Sequence, residues 1–179
     1  MGMKTHLLTS VLALLASFPA LAELPLKIEL LAPKEPVTLN KAAEAKPQPG
    51  RGGRGGADIT LPDITLRYRI TNTGKEAIVL EHGGDATTNL LVVKGPGAVD
   101  VPYSGPMLMV WLSGKPITIG GGETKEFEIK GLKYGKRDMS YWNITKSGDY
   151  EVSLTHNTRA GQAKVSLTSE PAKFSVVIK

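Results

Sequence analysis

The sequence predicts an all-β fold, an antiparallel sandwich of about seven to eight short strands. From Asp58 onwards, apolar and polar residues alternate with period two in several short stretches, and turn residues separate these stretches. No part of residues 23–179 repeats its apolar residues at the spacing of a helix. A closed barrel is the alternative that the same pattern leaves open.

The expected strands follow one another between turn signals. Leu26–Leu31 alternates around Lys27 and Glu29, with prolines on both sides. The clearest alternation lies in residues 64–70, ITLRYRI, which lead into the turn NTGK. The other expected strands are, in order, residues 77–80, 90–93 and 107–112, a stretch around Phe127 and Ile129, residues 150–154 and residues 174–178.

Residues 41–58, KAAEAKPQPGRGGRGGAD, have a different composition. Residues 47–56 contain five Gly and two Pro and no large apolar side chain, so they cannot bury enough surface to offset their ordering entropy. We expect a flexible Gly-rich loop or a linker here. The RGGRGG stretch resembles an RNA-binding RGG box, but it has only two Arg and no aromatic residue, so we expect no nucleic-acid partner.

The first 22 residues have the pattern of a secretory signal peptide. Lys4 supplies a positive charge, residues 7–18 are mostly apolar, and small residues at positions 20 and 22 precede the expected cleavage site. The apolar run is short for a bilayer span, so we expect cleavage and no stable membrane insertion afterwards. Residues 23–179 would then form a single periplasmic or extracellular domain, with segment 41–58 inside it or at its edge.

Composition narrows the chemistry further. The chain has no cysteine, which excludes disulfides, zinc–thiolate sites and cysteine nucleophiles. For an exported chain, this absence favours a bacterial protein that is stabilised by core packing alone. The formal net charge of +5 is spread along the sequence among acidic residues, so it does not indicate a dedicated nucleic-acid binder.

Two features favour an immunoglobulin-like form of the sandwich. The first is the turn Ser147-Gly148-Asp149 directly before Tyr150, because a tyrosine corner begins a late strand in this way. An ordinary buried tyrosine is the alternative for Tyr150. The second feature is a set of three turn motifs, which are ITNTG at residues 70–74 before a β run, GET at residues 122–124, and SGDYEV at residues 147–152.

With these motifs, residues 64–157 resemble the immunoglobulin-like domains of bacterial exported proteins and, more loosely, the proteinase inhibitor family called BsuPI. The resemblance implies the fold, and it implies proteinase inhibition as an alternative function. It carries over no inhibitory residue, because the shared motifs are turns rather than a reactive loop.

The sequence offers weak candidates for catalysis or metal binding. His82 and Asp85 lie in EHGGD and could ligate a metal with a third residue, but their spacing matches no zinc pattern, and a solvated turn is the simpler interpretation. Met107 and Met109 could bind copper, although methionine is also a common core residue. There is no Gly-x-Ser-x-Gly motif. We therefore expect no enzyme, no metal and no cofactor.

Aromatic and basic residues are the better candidates for a binding surface. Tyr103, Tyr141 and Trp142 lie near expected strand ends, and exposed aromatic rings there would bind sugars or a protein partner. Trp111 lies inside the apolar run, so we expect it in the core, and Trp142 could be either core or surface. The stretch KGLKYGKR is either a solvated connection or an anion-binding surface that contains Lys133, Tyr134, Lys136 and Arg137.

These features together predict a non-enzymatic exported binding or accessory module, with a protein or an envelope polymer as its partner. A BsuPI-like proteinase inhibitor and a metal-binding periplasmic protein are the alternatives.

Overall fold

A computed structural model describes residues 24–40, 62–103 and 110–179, and these residues form an all-β protein without a helix. The predicted signal peptide, the Gly-rich segment 41–58, Met107 and Met109 lie outside the described residues. The strands are β1 (Leu26–Leu31), β2 (Val37–Leu39), β3 (Thr65–Asn72), β4 (Ile78–His82), β5 (Thr88–Lys94), β6 (Ala98–Val101), β7 (Lys115–Ile119), β8 (Thr124–Lys130), β9 (Lys133–Lys136), β10 (Ser140–Ile144), β11 (Gly148–Ala160), β12 (Ala163–Thr168) and β13 (Ala172–Ile178).

The thirteen strands in the described residues exceed the seven or eight that the sequence predicts. Most of the additional strands are short, such as β2 with three residues and β6 and β9 with four. A period of two is not recognisable over so few residues, which explains the low count. The expected strand at residues 107–112 is a further difference, because the described part of it, residues 110–112, is not in a strand.

The strands form three sheets within the described residues. One sheet has the order β1-β3-β8, a second has the order β2-β13-β11-β5-β9-β10-β6 with β12 beside β11, and β4 pairs with β7. All pairs are antiparallel except β2 and β13, which are parallel. The expectation of a wholly antiparallel fold is therefore wrong at this pair, where Val37 lies opposite Val176.

Side chains from all three sheets meet in one buried apolar cluster. The alternation in β3 has the predicted orientation, because Leu66, Tyr68 and Ile70 are buried while the intervening Arg67 and Arg69 are exposed. Burying each such large apolar side chain contributes roughly 1.5–3 kcal/mol relative to leaving it in water. The cluster therefore holds the sheets together and fixes the positions of the loops between them.

Tyr150 has the geometry of a tyrosine corner as well as being buried. Its hydroxyl lies 2.7 Å from the carbonyl oxygen of Lys146, four residues upstream, and also contacts the carbonyl oxygen of Pro96. Its ring stacks on Phe174 with centroids 5.6 Å apart. The residue thus connects the start of β11 to the loop after β5.

No helix formed by the described residues is long and apolar enough to cross a membrane.

Candidate functional site

Three consecutive apolar side chains project into solvent at residues 110–112, which we call the exposed segment. The exposed fractions are 63% for Val110, 61% for Trp111 and 47% for Leu112. The expectation that Trp111 belongs to the core is therefore wrong. The physical reason is that the backbone of this segment, rather than its side chains, is bonded to the rest of the protein.

A buried ion pair between Asp85 and Arg137 underlies the exposed segment. Arg137 Nε lies 2.7 Å from Asp85 Oδ1, and Arg137 Nη2 lies 2.5 Å from Asp85 Oδ2. Only 1% of the Asp85 side chain and 14% of the Arg137 side chain are exposed. The hydrogen bonds from Arg137, together with the amide of Leu112, hold the pKa of Asp85 well below its usual range. The carboxylate is therefore charged at any neutral or mildly acidic pH.

This ion pair anchors the backbone on both sides of Trp111. The Leu112 amide donates to Asp85 Oδ2 at 3.0 Å, and the Asp85 amide donates to the Leu112 carbonyl oxygen at 2.7 Å. On the other side, Arg137 Nη2 donates to the Val110 carbonyl oxygen. Because both flanking peptide groups are bonded, Trp111 is presented to solvent from a fixed backbone.

Glycines allow the loop after β4 to approach the exposed segment this closely. Gly84 has a φ of +62°, and a Cβ atom at this position would overlap the Leu112 carbonyl oxygen. A Cβ at Gly114 would lie 2.9 Å from the Gly83 carbonyl oxygen. The EHGGD sequence, for which a metal site and a solvated turn were the two interpretations, brings Asp85 against the backbone of the exposed segment.

Lys136 lies between the ion pair and the indole of Trp111. Its Nζ is 5.4 Å from the centroid of the Trp111 ring and 3.4 Å from Asp85 Oδ1. Arg137 follows directly in the turn after β9 and has a φ of +59°. Of the predicted basic residues, these two meet at the exposed segment.

The other predicted binding residues lie on the β9–β10 hairpin and beside it. Tyr134 and Trp142 have ring centroids 6.3 Å apart, while Tyr141 lies opposite Lys133 in the pairing of the two strands. Trp142 is half-buried, and its indole N–H donates to the Leu91 carbonyl oxygen at 2.9 Å. Trp142 thus packs along β5 and contributes little free aromatic surface.

Tyr103 is 41% exposed, and its backbone amide donates to Ser140 Oγ at 3.1 Å. Tyr134 contacts Asp100 through its hydroxyl, and Asp100 lies opposite Trp142. The structure therefore distributes the predicted aromatic residues along the hairpin and its flank. It does not gather them into one exposed platform around Trp142.

The two weak metal-ligand candidates have other partners. Both carboxylate oxygens of Asp85 are engaged by Arg137, Lys136 and the Leu112 amide, so Asp85 is an anchor rather than a ligand. His82 is half-buried and packs on Phe127 with ring centroids 4.6 Å apart, and burial lowers its pKa. Within residues 24–40, 62–103 and 110–179, no three His, Asp or Glu side chains are grouped so that they could hold a metal ion.

His156 is an interior residue of β11. Its side chain is 1% exposed, its Nδ1 lies 2.7 Å from Asn89 Oδ1, and its ring centroid is 5.3 Å from that of Tyr68. Burial, with a smaller contribution from His82, lowers the pKa of His156 to about 4. The imidazole is therefore neutral at pH 7 and fits a structural role between the sheets.

Sequence reasoning missed the exposure of Val110, Trp111 and Leu112. The local pattern indicated the opposite, because an apolar run that is closed by turn residues such as Ser113-Gly114 is typical of a fully buried strand. The partnership of Asp85 with Arg137 had no local signal, since the two residues are 52 positions apart.

Comparison with models of known protein families gives no match. No curated protein sequence matches the chain. Among solved structures, the chain is similar to the crystal structure of a beta-glucosidase from Listeria innocua in complex with glucose, with 10% sequence identity and a TM-score of 0.28. The similarity covers 84% of this chain and 16% of the glucosidase chain, so the chain spans about a sixth of that enzyme's length.

Proposed function

We propose that this protein is a non-enzymatic exported binding module with an immunoglobulin-like sandwich fold, which contacts a protein or polymer of the cell envelope through the exposed segment. The observation that carries the proposal is the position of Trp111. Its side chain is 61% exposed, while the peptide groups on both sides of it are bonded to a buried ion pair.

The strand order supports the immunoglobulin-like part of the proposal. Immunoglobulin sandwiches place strands A, B and E in one sheet and strands C, F and G in the other. Here β1, β3 and β8 are adjacent in one sheet, in the order of strands A, B and E. In the other sheet β5, β11 and β13 are adjacent, in the order of strands C, F and G. The hydroxyl of Tyr150, at the start of the F-like strand β11, bonds the Lys146 carbonyl oxygen as a tyrosine corner does.

Export is supported by the sequence alone. The charged start, the apolar run and the small residues before position 23 match a cleavable signal peptide. The lack of cysteine suits a bacterial chain in an oxidising compartment, where the core must stabilise the fold without disulfides. A periplasmic or extracellular location follows from these features.

The anchored backbone supports a binding role on energetic grounds. A flexible loop loses conformational freedom when a partner fixes it, which weakens binding. The segment at residues 110–112 is already held by Asp85 and Arg137, so this cost is reduced. Tryptophan is also among the residues that contribute most to protein interfaces when a partner buries them.

The test uses the protein purified after export as bait for an envelope extract. We expect a partner that is retained by the wild type and lost with Trp111→Ala and Val110→Ser. Val177→Ser is the matched control, because Val177 is also an exposed valine (41%) but lies in β13. Circular dichroism of each variant verifies folding. Equal capture by the wild type and by folded Trp111→Ala would contradict the proposal.

Proteinase inhibition is a second candidate, and one observation favours it. Residues 110–112 contain no glycine, and both neighbours of Trp111 are anchored, as a rigid loop that occupies a proteinase cleft requires. Because Trp111 is a large aromatic residue, the expected target is a serine proteinase with an apolar specificity pocket. The test is inhibition of chymotrypsin by the wild type but not by Trp111→Ala, with trypsin as the control enzyme.

A further inference from the structure

We propose that the exposed segment docks on an anionic lipid surface of the envelope. This inference rests on the proposed function, because it names the partner of the same segment. It replaces the protein or polymer partner of that proposal with lipid, and the reasons are the exposed residue types of the segment and the charges at its base.

We call the exposed segment the ridge. Its three consecutive residues, Val110, Trp111 and Leu112, are all between 47% and 63% exposed, so none of them is covered by the rest of the protein. A protein partner would need a complementary groove to cover all three. The interfacial region of a bilayer surrounds an inserted side chain on all sides and requires no complementary groove.

The residue types suit the interfacial region of a bilayer. Tryptophan is enriched at the boundary between hydrocarbon and head groups, because its ring is apolar and its N–H needs a polar neighbour. Val110 and Leu112 on either side add purely apolar surface. A contact of three side chains is small, so we expect reversible adsorption of a peripheral protein rather than permanent insertion.

Positive charge lies at the base of the ridge, where lipid phosphates would be. Lys136 is 5.4 Å from the Trp111 ring, and Lys115 begins β7 three residues after Leu112, with an exposed side chain. The carboxylate that touches the segment, that of Asp85, is buried and paired with Arg137. Lys136 and Arg137 share this one carboxylate, so the two cations outnumber the single anion at the base, and Lys115 adds an exposed cation for an anionic leaflet.

The anchored backbone makes the ridge suited to this role. The Leu112 amide and the Val110 carbonyl are bonded to Asp85 and Arg137, so these two groups would not lose hydrogen bonds with water on entering the interface. The pinned backbone also prevents the segment from folding back on the protein to hide its apolar side chains.

The experiment uses Trp111 as its own reporter. In a Trp142→Phe background, Trp111 is the only tryptophan of the chain. Vesicles of phosphatidylcholine with an equal part of phosphatidylglycerol are added, and tryptophan emission and co-sedimentation are measured. We expect a blue shift, quenching by brominated lipid, and weaker binding when salt is added. Vesicles of phosphatidylcholine alone should bind much less.

Variants separate the apolar and the charged contributions. Without the reporter substitution, Trp111→Ala should weaken co-sedimentation by about tenfold or more, the loss expected for one large apolar side chain. Lys136→Gln should weaken it by about fivefold, the factor that corresponds to one basic residue at an anionic surface. Val177→Ser should have no effect. If Trp142→Phe fails to fold, brominated-lipid quenching of the wild type serves instead.

The outcomes distinguish this inference from the proposed function. No emission change and no co-sedimentation with the anionic vesicles, or equal binding to both vesicle types, would overturn the lipid inference. If envelope capture in the same preparation still depends on Trp111, the binding function stands and its partner is a protein or polymer. If capture is also independent of Trp111, both proposals fail.

Discussion

Asp85 and Arg137 form a bidentate ion pair that anchors the two peptide groups flanking Trp111 from opposite sides. Asp85 Oδ2 accepts the Leu112 amide at 3.0 Å, and Arg137 Nη2 donates to the Val110 carbonyl oxygen. A buried ion pair is weak evidence for stability, because desolvation offsets much of the Coulombic attraction. Its bonds to the exposed segment suggest instead that it fixes the geometry of that segment.

Removing the cation of this pair should free the exposed segment. In Arg137→Ala, the Val110 carbonyl loses a donor and Asp85 becomes a poorly compensated buried charge. We expect the Leu112 amide to exchange with solvent at least about tenfold faster, as measured by hydrogen exchange, because its closed state is destabilised.

Arg67→Ala is the control for this variant, because Arg67 also pairs with a carboxylate, that of Glu126, but its side chain is 59% exposed. It should leave the exchange rate of the Leu112 amide unchanged. Unchanged exchange in Arg137→Ala would show that the ion pair does not hold the segment.

Gly84→Ala should disturb the exposed segment from the side of the loop after β4. Its φ of +62° strains any residue with a side chain, and the new Cβ would overlap the Leu112 carbonyl oxygen. Gly83 is a matched control in the same loop, because its φ is +77° and a Cβ there would meet nothing within 4 Å.

We expect Gly83→Ala to lower the free energy of unfolding by about 1–2 kcal/mol, which is the cost of the left-handed conformation alone. Gly84→Ala should lower it by at least about 1 kcal/mol more, since the overlap adds to the strain. Urea unfolding of both variants measures the difference. Equal destabilisation would show that the close approach of the two loops does not matter.

The sequence predicted the features that depend on local pattern. The alternation of residues 64–70 identified the buried face of β3, with Leu66, Tyr68 and Ile70 inward, and the turn before Tyr150 indicated a corner that its hydroxyl geometry matches. These predictions succeeded because period two and turn chemistry are properties of neighbouring residues.

The candidate site could not be predicted in the same way. Hydrophobicity alone placed Trp111 in the core, whereas its exposure depends on the backbone bonds of residues 110 and 112 to Asp85 and Arg137. Those bonds form only when the loop after β4 and the turn after β9, which belong to two different sheets, come together in the folded protein. No local pattern records such a non-local contact, and the polar character of EHGGD favoured a solvated turn instead.

Stability should fall as the pH is lowered because of His156. The folded-state pKa of about 4 is below the ordinary value of about 6.5, so the unfolded state binds a proton more readily. The contribution of His156 is therefore fully present above about pH 6.5 and is lost as the pH falls through 4. Its expected size is about 3 kcal/mol.

Urea unfolding at pH 7 and pH 4 measures this loss, and His156→Gln removes the titrating group. The variant is less stable at pH 7 because its packing on Tyr68 changes, but its further loss between pH 7 and pH 4 should be smaller by about 3 kcal/mol. The same loss in variant and wild type would assign the pH dependence to other groups, such as His82.

Asn72→Ala should be strongly destabilising although Asn72 is a polar residue at the last position of β3. Its side chain is fully buried and donates to the carbonyl oxygens of Glu76 at 2.7 Å and Ile119 at 3.0 Å. Removing it leaves two carbonyl groups without this donor, at a cost of about 1–3 kcal/mol each. Thermal unfolding should show a clear decrease in Tm, whereas Asn143→Ala, in a half-buried position of β10, should have a much smaller effect.

Tyr150→Phe tests the corner itself, because it removes only the hydroxyl group. The ring would still stack on Phe174, but the one hydroxyl proton that the carbonyl oxygens of Pro96 and Lys146 share would be lost. We expect the free energy of unfolding to fall by about 1–3 kcal/mol, since a buried acceptor is left unsatisfied.

Tyr134→Phe is the matched control. Its hydroxyl contacts Asp100 on the surface, so its loss should cost less than about 1 kcal/mol. Equal losses of unfolding free energy in the two variants would show that the Tyr150 hydroxyl stabilises the protein no more than an exposed hydroxyl does. Ring packing alone would then hold the start of β11.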